Sequence, residues 1–367
     1  MNYNYIELDQ QLFVQNGSNF RDLNYLVQLL SREDHNGVAR YKFFCKEVGA
    51  ERLEDLQYFR ELAGVDQSLI RKYTDDAMIT GDINHAQRIV SNTKEETNVY
   101  NITEAIRFFN TPVGLILENS LNDSYFIRAI FQYFGTSTRD GTNILLSFVD
   151  NGWISFVNAG GWTNIKNYIN ERKQALETFA LRQGKPPQKY LRYFVLMDSD
   201  KSYPTDSDST IGKENLREEL EALGCEVHIL EKRAMENYMP DEVIQDLGTP
   251  YKAWIDAYNH LSNEQKDYLN YERGRKSKKG EILPRTEEAP AFQAFYPSSG
   301  DNMVSDSNYD ILKYGLSNLK YPNYKRDFPK KYIEHHAVYY TTLLSKAGGT
   351  RENNELKNII NKITSLL

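Results

Sequence analysis

Three apolar runs in the chain end on carboxylates. Glu118 closes VGLIL (113–117), Asp198 and Asp200 close YFVLM (193–197) within the tripeptide Asp-Ser-Asp, and Glu231 and Glu236 follow CEVHIL (225–230). Alternate residues of an extended chain face the same way, so Asp198 and Asp200 can enter one site with the small Ser199 between them. Hard divalent cations such as Mg²⁺ take oxygen ligands, commonly one or two carboxylates completed by water and substrate phosphate. Carboxylates drawn from separate strands onto one edge suit that demand. The chemistry they would support is metal-assisted displacement at phosphorus, with a water made nucleophilic and a leaving oxygen stabilised. Singly, each residue has an ordinary explanation. A Glu after a strand is usually solvated, an Asp often closes a turn, and Asp123 reads as a helix cap. Only the set points to chemistry.

The elements that must position this set follow from periodicity. VGLIL, bounded by Pro112 and polar residues, is too short for a helix and reads as a buried strand. SYFIRAIFQYFG (124–135) is an amphipathic helix ending at Gly135, with Asp123 or Ser124 as its cap. ISFVNAGG (154–161) is a strand running into a glycine turn, TNIKNYINERKQALETFALRQG (163–184) a long helix, and KENLREELEALG (213–224) another, between the strands YFVLM and CEVHIL. Strand and helix alternating in this way predict a mostly parallel α/β sheet over residues 111–245. Ligands of such sheets bind outside the carboxyl ends of the strands, where these carboxylates stand. The flanking regions, 1–110 and 246–367, read as mainly helical. NFRDLNYLVQLLS spaces Phe20, Leu23, Leu26, Val27 and Leu30 at threes and fours, and residues 251–262 and 350–367 are the clearest later helices.

LILENSLNDSYF (115–126), FVNAGGWTNI (156–165), FVLMDSDKS (194–202) and LEKRAMENYMP (230–240) together resemble a TOPRIM domain of the OLD-family and related bacterial defence nucleases. There a Glu follows the first strand with an acidic residue a few positions on, a glycine turn follows the second, Asp-x-Asp follows the third, and a Lys-x-x-x-Glu-Asn-Tyr segment comes later. The matching residues are Glu118 with Asp123, Gly160-Gly161, Asp198 with Asp200, and Lys232 with Glu236-Asn237-Tyr238. One position departs from the pattern: Asn119 stands where the family has a small glycine. The resemblance covers about a third of the chain. It implies a TOPRIM-like catalytic domain over 111–245 that hydrolyses phosphodiester bonds of DNA or tRNA with Mg²⁺ or Mn²⁺. Glu118, Asp198 and Asp200 would be the metal ligands, Glu236 a further ligand or general base, and Lys232 a balance for charge on the leaving phosphate. The layout also resembles TOPRIM effectors of two-component antiphage systems such as the nuclease partner of PARIS, which pair with an ABC-type ATPase. This chain has no GKS or GKT phosphate loop, so that ATPase would be a separate protein. A homodimer is compatible with the same resemblance.

Charge first argues the other way. The 367 residues carry 44 Lys and Arg against 51 Asp and Glu, a net −7. The excess is unevenly placed: residues 246–367 are net basic, and YERGRKSKKGEILPR (271–285) and YKRDFPKK (324–331) concentrate cations. Arg273, Arg275, Lys276, Lys278, Lys279, Lys325 and Arg326 are therefore the candidates for gripping a nucleic-acid backbone. A hydrophobic content of 40% is that of a folded protein, and two cysteines exclude a disulfide scaffold. With no apolar run of membrane-spanning length and no signal segment at the start, a cytoplasmic protein is expected. His335 and His336, the only adjacent histidines, are read as lying on a packed helix, where neighbours point apart, so no zinc pair is expected. Two other functions use the same residues. Asp-x-Asp after an apolar strand also serves metal-dependent nucleotide-sugar transferases and phosphatases, and a TOPRIM-like fold can act as a catalytically weak binding subunit of an ATPase complex.

Overall fold

The computed structural model describes residues 5–49, 52–84, 86–136, 141, 143–275, 284–321 and 323–367. Among these residues eight strands form two separate four-stranded sheets, with every strand pairing parallel. The first contains β1 (Tyr5–Leu8), β2 (Lys42–Phe44), β3 (Arg88–Val90) and β4 (Val99–Tyr100), in the order β2-β1-β3-β4. The second contains β5 (Val113–Leu117), β6 (Ile154–Asn158), β7 (Tyr193–Met197) and β8 (Glu226–Ile229), in the order β6-β5-β7-β8. Helices α1 (Phe20–Leu30), α2 (Gly64–Thr80) and α3 (Ile102–Asn110) belong to the first unit. Helices α4 (Ser120–Phe134), α5 (Trp162–Gln183) and α6 (Ile211–Ala222) connect the strands of the second, and α7 (Glu355–Ser365) packs on α4 and β8.

The first sheet corrects the expectation that residues 1–110 are simply helical. Its strands are two to four residues long. Segments that short carry at most two periods of alternation, too little pattern to detect, and only the neighbouring strands complete their hydrogen bonding. Their apolar faces share a core with α1, α3 and Phe59.

The second sheet is covered on both faces, as a continuous apolar strand requires. Leu115, Leu117, Phe194 and Leu196 face α4, α7 and the helices after residue 246, so the C-terminal region shares a core with this sheet. Ile116, Val195, Met197 and Val227 face the other way, onto Ile165 and Ile169 of α5 and Leu216 and Leu220 of α6. Gly114 lets β5 and β7 lie together: a Cβ there would stand 2.5 Å from the Tyr193 ring. Register brings the ends level, with Leu117 opposite Asn158 and Leu196, and Met197 opposite Ile229. From β5 the chain crosses to one side and then returns past it to the other, so a crevice opens between the ends of β5 and β7. Open α/β sheets bind their ligands at such a switch point.

Candidate functional site

At that crevice lies a cleft of about 540 Å³ whose lining includes Glu118, Asp123, Asp198, Asp200, Glu236 and Glu272. Glu118 and Asp198 leave adjacent strands, and the Asp198 N–H donates to Glu118 Oε1 at 3.3 Å. Asp198 Oδ1 accepts the Met235 N–H at 3.1 Å, which docks the segment after β8 against the end of β7. Asp200 sits in the left-handed region at φ 58°, which Asp tolerates better than most residues. Arg233 holds that turn by donating from Nη1 to the carbonyls of Asp200 and Lys201, each at 2.8 Å. Buried Ser199 donates to the Lys232 carbonyl at 2.6 Å, so the small residue between the two aspartates is a fastener.

Within Glu236-Asn237-Tyr238, Glu236 and Asn237 line the cleft, while Asn237 and Tyr238 also anchor the segment. Asn237 donates to the carbonyls of Lys266 and Leu269 at 2.8 and 2.9 Å. Tyr238 is fully buried against Phe126 and donates to Glu355 at the start of α7. Glu236 joins the cleft beside Tyr324, Lys325 and Glu272. On the β6 side, Gly160 and Gly161 have φ of 71° and 108°, so a Cβ at either would be strained, and the Gly161 N–H donates to the Glu118 carbonyl at 3.2 Å. Asn119 has φ −138°, outside the left-handed region, so its backbone does not call for glycine. Helix α4 begins at Ser120 rather than at Ser124. Asp123 therefore lies in its first turn, where Oδ2 accepts the Asn119 N–H at 2.8 Å.

Crowding away from water makes Glu118, Asp123, Asp198 and Glu236 harder to ionise. Burial raises Asp198 well above the usual carboxylate range, and Glu118 and Glu236 push it further. Burial likewise raises Glu236, with Glu272 adding to it, and raises Glu118 against the pull of Lys213. Asp123 is pushed up to about 7 by burial and by Glu236 and Glu118, against the Asn119 hydrogen bond. A carboxyl raised in the fold contributes most stability when protonated, and loses that contribution as pH climbs through its folded pKa. Asp123→Asn should therefore stabilise the metal-free protein at pH 8, by up to roughly 4 kcal/mol. The gain should shrink steadily as pH falls toward 5. Thermal unfolding across that range checks this, and a gain independent of pH would contradict the assignment.

One residue at the centre of this arrangement left no mark in the sequence. Lys213, on the first turn of α6, is 1% exposed. Its ammonium donates to Glu118 Oε1 at 3.0 Å, Asp200 Oδ2 at 2.7 Å and the Asp198 carbonyl at 2.8 Å. Burial favours its neutral form, but Glu118 and Asp200 outweigh burial and its pKa is raised. No local signal marks it, since it falls in the charged sequence IGKENLREEL and its partners lie 95 and 13 positions away.

The donor set fits a hard divalent cation. It is all oxygen, and it comes from three different strand ends. Asn122 adds a buried Oδ1 with no hydrogen-bond partner in the lining of the same cleft. A lysine ammonium already bridges two of the carboxylates. The equivalent switch point of the first sheet lies between β1 and β3. There Ser91 donates to Asp9 Oδ2 at 2.5 Å, and Lys94 pairs with Glu7 at 3.1 Å.

Other expected residues lie elsewhere. Lys232 is not brought to the cleft. It is buried beside Asp267, with which it pairs, and it lines a second cavity with Glu231, Asp241 and Lys346. The carbonyl of Lys232, held by Ser199, keeps its side chain on that other side. Among the basic candidates, Lys325 lines the cleft, its ammonium 3.6 Å from Glu272. Arg273 is exposed nearby, and Arg326 is exposed and paired with Asp327 at 2.8 Å. Arg275 is committed to structure: it forks onto Glu288 at 2.8 and 2.5 Å and lies 3.8 Å over the Phe292 ring. Lys276, Lys278 and Lys279 lie outside the described residues.

The expectation that His335 and His336 lie on a packed helix and point apart is corrected. The short helix Lys331–Glu334 ends before His335, whose extended backbone lets the His335 and His336 rings stack at 4.6 Å. With Asp246 they place potential ligand atoms within 4.8 Å of one another. The His335 Nδ1 accepts the Ala337 N–H at 3.2 Å, so its proton is on Nε2, facing Asp246 Oδ2 at 3.2 Å. A metal on Nε2 would drive a proton onto Nδ1 against that N–H, and the group reads as a hydrogen-bonded surface cluster.

No family model matches the chain, and no curated protein or solved structure matches it either. Among the described residues no helix is long and apolar enough to cross a membrane.

Proposed function

We propose that the cleft is the active site of a TOPRIM-type, divalent-metal-dependent nuclease acting on DNA or tRNA. The observation that carries this is the meeting of Glu118, Asp198, Asp200 and Glu236 in one cleft at the switch point of a parallel sheet. Glu118, Asp198 and Asp200 would hold Mg²⁺ or Mn²⁺. Bound there, such ions lower the pKa of water and offset charge on the leaving oxygen. Glu236, harder to ionise than an ordinary Glu, is suited to take the proton of the attacking water. Lys325 at the rim supplies a cation for the phosphate backbone, and the N-terminal end of α5 follows the Gly160-Gly161 turn on the same side. Lys232, paired with Asp267 away from the cleft, is left out of the reaction.

The resemblance to defence effectors extends the proposal to biology: a toxic nuclease held by a separate ABC-type ATPase until infection. The enzymatic part is tested by incubating the purified chain with supercoiled plasmid and with total tRNA, in Mn²⁺ or in EDTA. Cleavage of either substrate in Mn²⁺ alone is expected. No cleavage, together with no measurable Mn²⁺ binding, would overturn the reading.

A further inference from the structure

Lys213 is a buried cation joined to all three of the proposed ligand residues. Its ammonium takes up one oxygen of Glu118 and one of Asp200, both proposed metal ligands, and it also caps the carbonyl of the third, Asp198. Its side chain is 2% exposed, whereas Asp200 is 51% exposed, so the lysine approaches from the protein interior and leaves the solvent side of the carboxylates open. The position is held by the helix that carries it. Gly212, the preceding residue, lies under the Trp162 ring, 3.0 Å from where a Cβ would stand, and the ammonium is 5.9 Å from that ring. This close approach fixes where the start of α6, and with it the Lys213 Cα, lies. An ammonium offers three donors and one positive charge, which is what two converging carboxylates lack when no metal is bound.

We propose that Lys213 is a built-in counter-cation that competes with the divalent ion for Glu118 and Asp200. It holds the ligand set together without metal and keeps metal affinity low, so that loading of the cleft follows the free metal concentration. This rests on the metal-dependent reading above and assigns that site its means of regulation. A unit charge within a few ångströms of the bound ion, at an effective dielectric near 20, is sufficient to change affinity by more than tenfold. Arg or Lys at this position preserves the competing charge, and Met removes it at similar volume.

Mn²⁺ binding is read directly from the free-ion electron paramagnetic resonance signal in titrations of the wild-type protein, Lys213→Met, Lys213→Arg and Asp198→Asn, with no nucleic acid present. Lys213→Met should bind Mn²⁺ at least tenfold more tightly than wild type, Lys213→Arg within about threefold of it, and Asp198→Asn far more weakly. Lys213→Met binding Mn²⁺ no more tightly than a wild type that does bind it would overturn the counter-cation role alone. Absence of Mn²⁺ binding in every variant would overturn the metal reading with it. A second measurement uses only the wild type, in case Lys213→Met fails to fold. The Lys213 side-chain ¹⁵Nζ resonance should shift or broaden as diamagnetic Mg²⁺ saturates the site. A resonance unchanged at saturation would overturn the proposal equally.

Discussion

Asp198→Asn is expected to reduce Mn²⁺-dependent cleavage by at least about 10³-fold while leaving the metal-free protein as stable as wild type or more so. The two halves of this expectation come from different atoms. The amide keeps an oxygen where Asp198 Oδ1 accepts the Met235 N–H at 3.1 Å, so the contact between the end of β7 and the segment after β8 survives. The backbone of residue 198 keeps its bonds to Glu118 and to Lys213. What disappears is a negative charge that burial and the neighbouring Glu118 and Glu236 already make costly. Losing it removes a proposed metal ligand and relieves repulsion in the same step. Cleavage assays and thermal unfolding on the same preparation separate the halves. Cleavage within tenfold of wild type would remove Asp198 from the metal site, and a large loss of stability would show the residue to be structural instead.

Arg192→Met should cost about 3–5 kcal/mol, the largest effect on stability expected of a single substitution outside the apolar core. Arg192 precedes β7 and is 1% exposed. Its guanidinium donates to the carbonyls of Phe108 and Thr111 at the end of α3, at 2.9 and 2.8 Å, and to the Tyr41 hydroxyl at 3.0 Å. It donates also to the carbonyls of Leu366 and Leu367 beyond α7, at 2.8 and 3.2 Å. Carbonyls at the C-terminal ends of two helices carry partial negative charge and are short of intrahelical donors, so a buried cation stabilises both ends at once. Methionine fills a similar volume but removes every one of these bonds, leaving Thr111 to Arg40, Phe108 to the Thr111 N–H, Leu367 to Arg88 at 3.5 Å, and the Leu366 carbonyl without the donor that held it. Lysine has three donors on one atom and cannot reach both helix ends, so Arg192→Lys should recover only part of the loss. Denaturant unfolding of the three proteins provides the comparison, and a cost below about 1 kcal/mol for the methionine variant would show that water replaces the guanidinium.

How much of this was legible beforehand depended on distance along the chain. VGLIL and YFVLM announce buried strands by composition alone, and Glu118, Asp198 and Asp200 follow them directly, so local pattern and a parallel sheet were enough to set them on one edge. Phe20–Leu30 and Trp162–Gln183 were readable because each presents several turns of helical period. The strands of the first sheet were not, since segments of two to four residues carry too little pattern to detect and gain their hydrogen bonds only from partners far away in sequence. Side-chain direction was equally out of reach. Lys232 and Glu236 stand four residues apart in one motif, yet one turns to Asp267 and the other to the cleft, because Ser199, Asn237 and Tyr238 anchor the segment between them. The sequence by itself determined which strands end in acid and that their ends share an edge. Tertiary structure alone decided that Lys213 lies among those acids and that Arg275 is spent on Glu288. Both are long cations whose partners are chosen by what folding brings within 3 Å, and no local spacing records that choice.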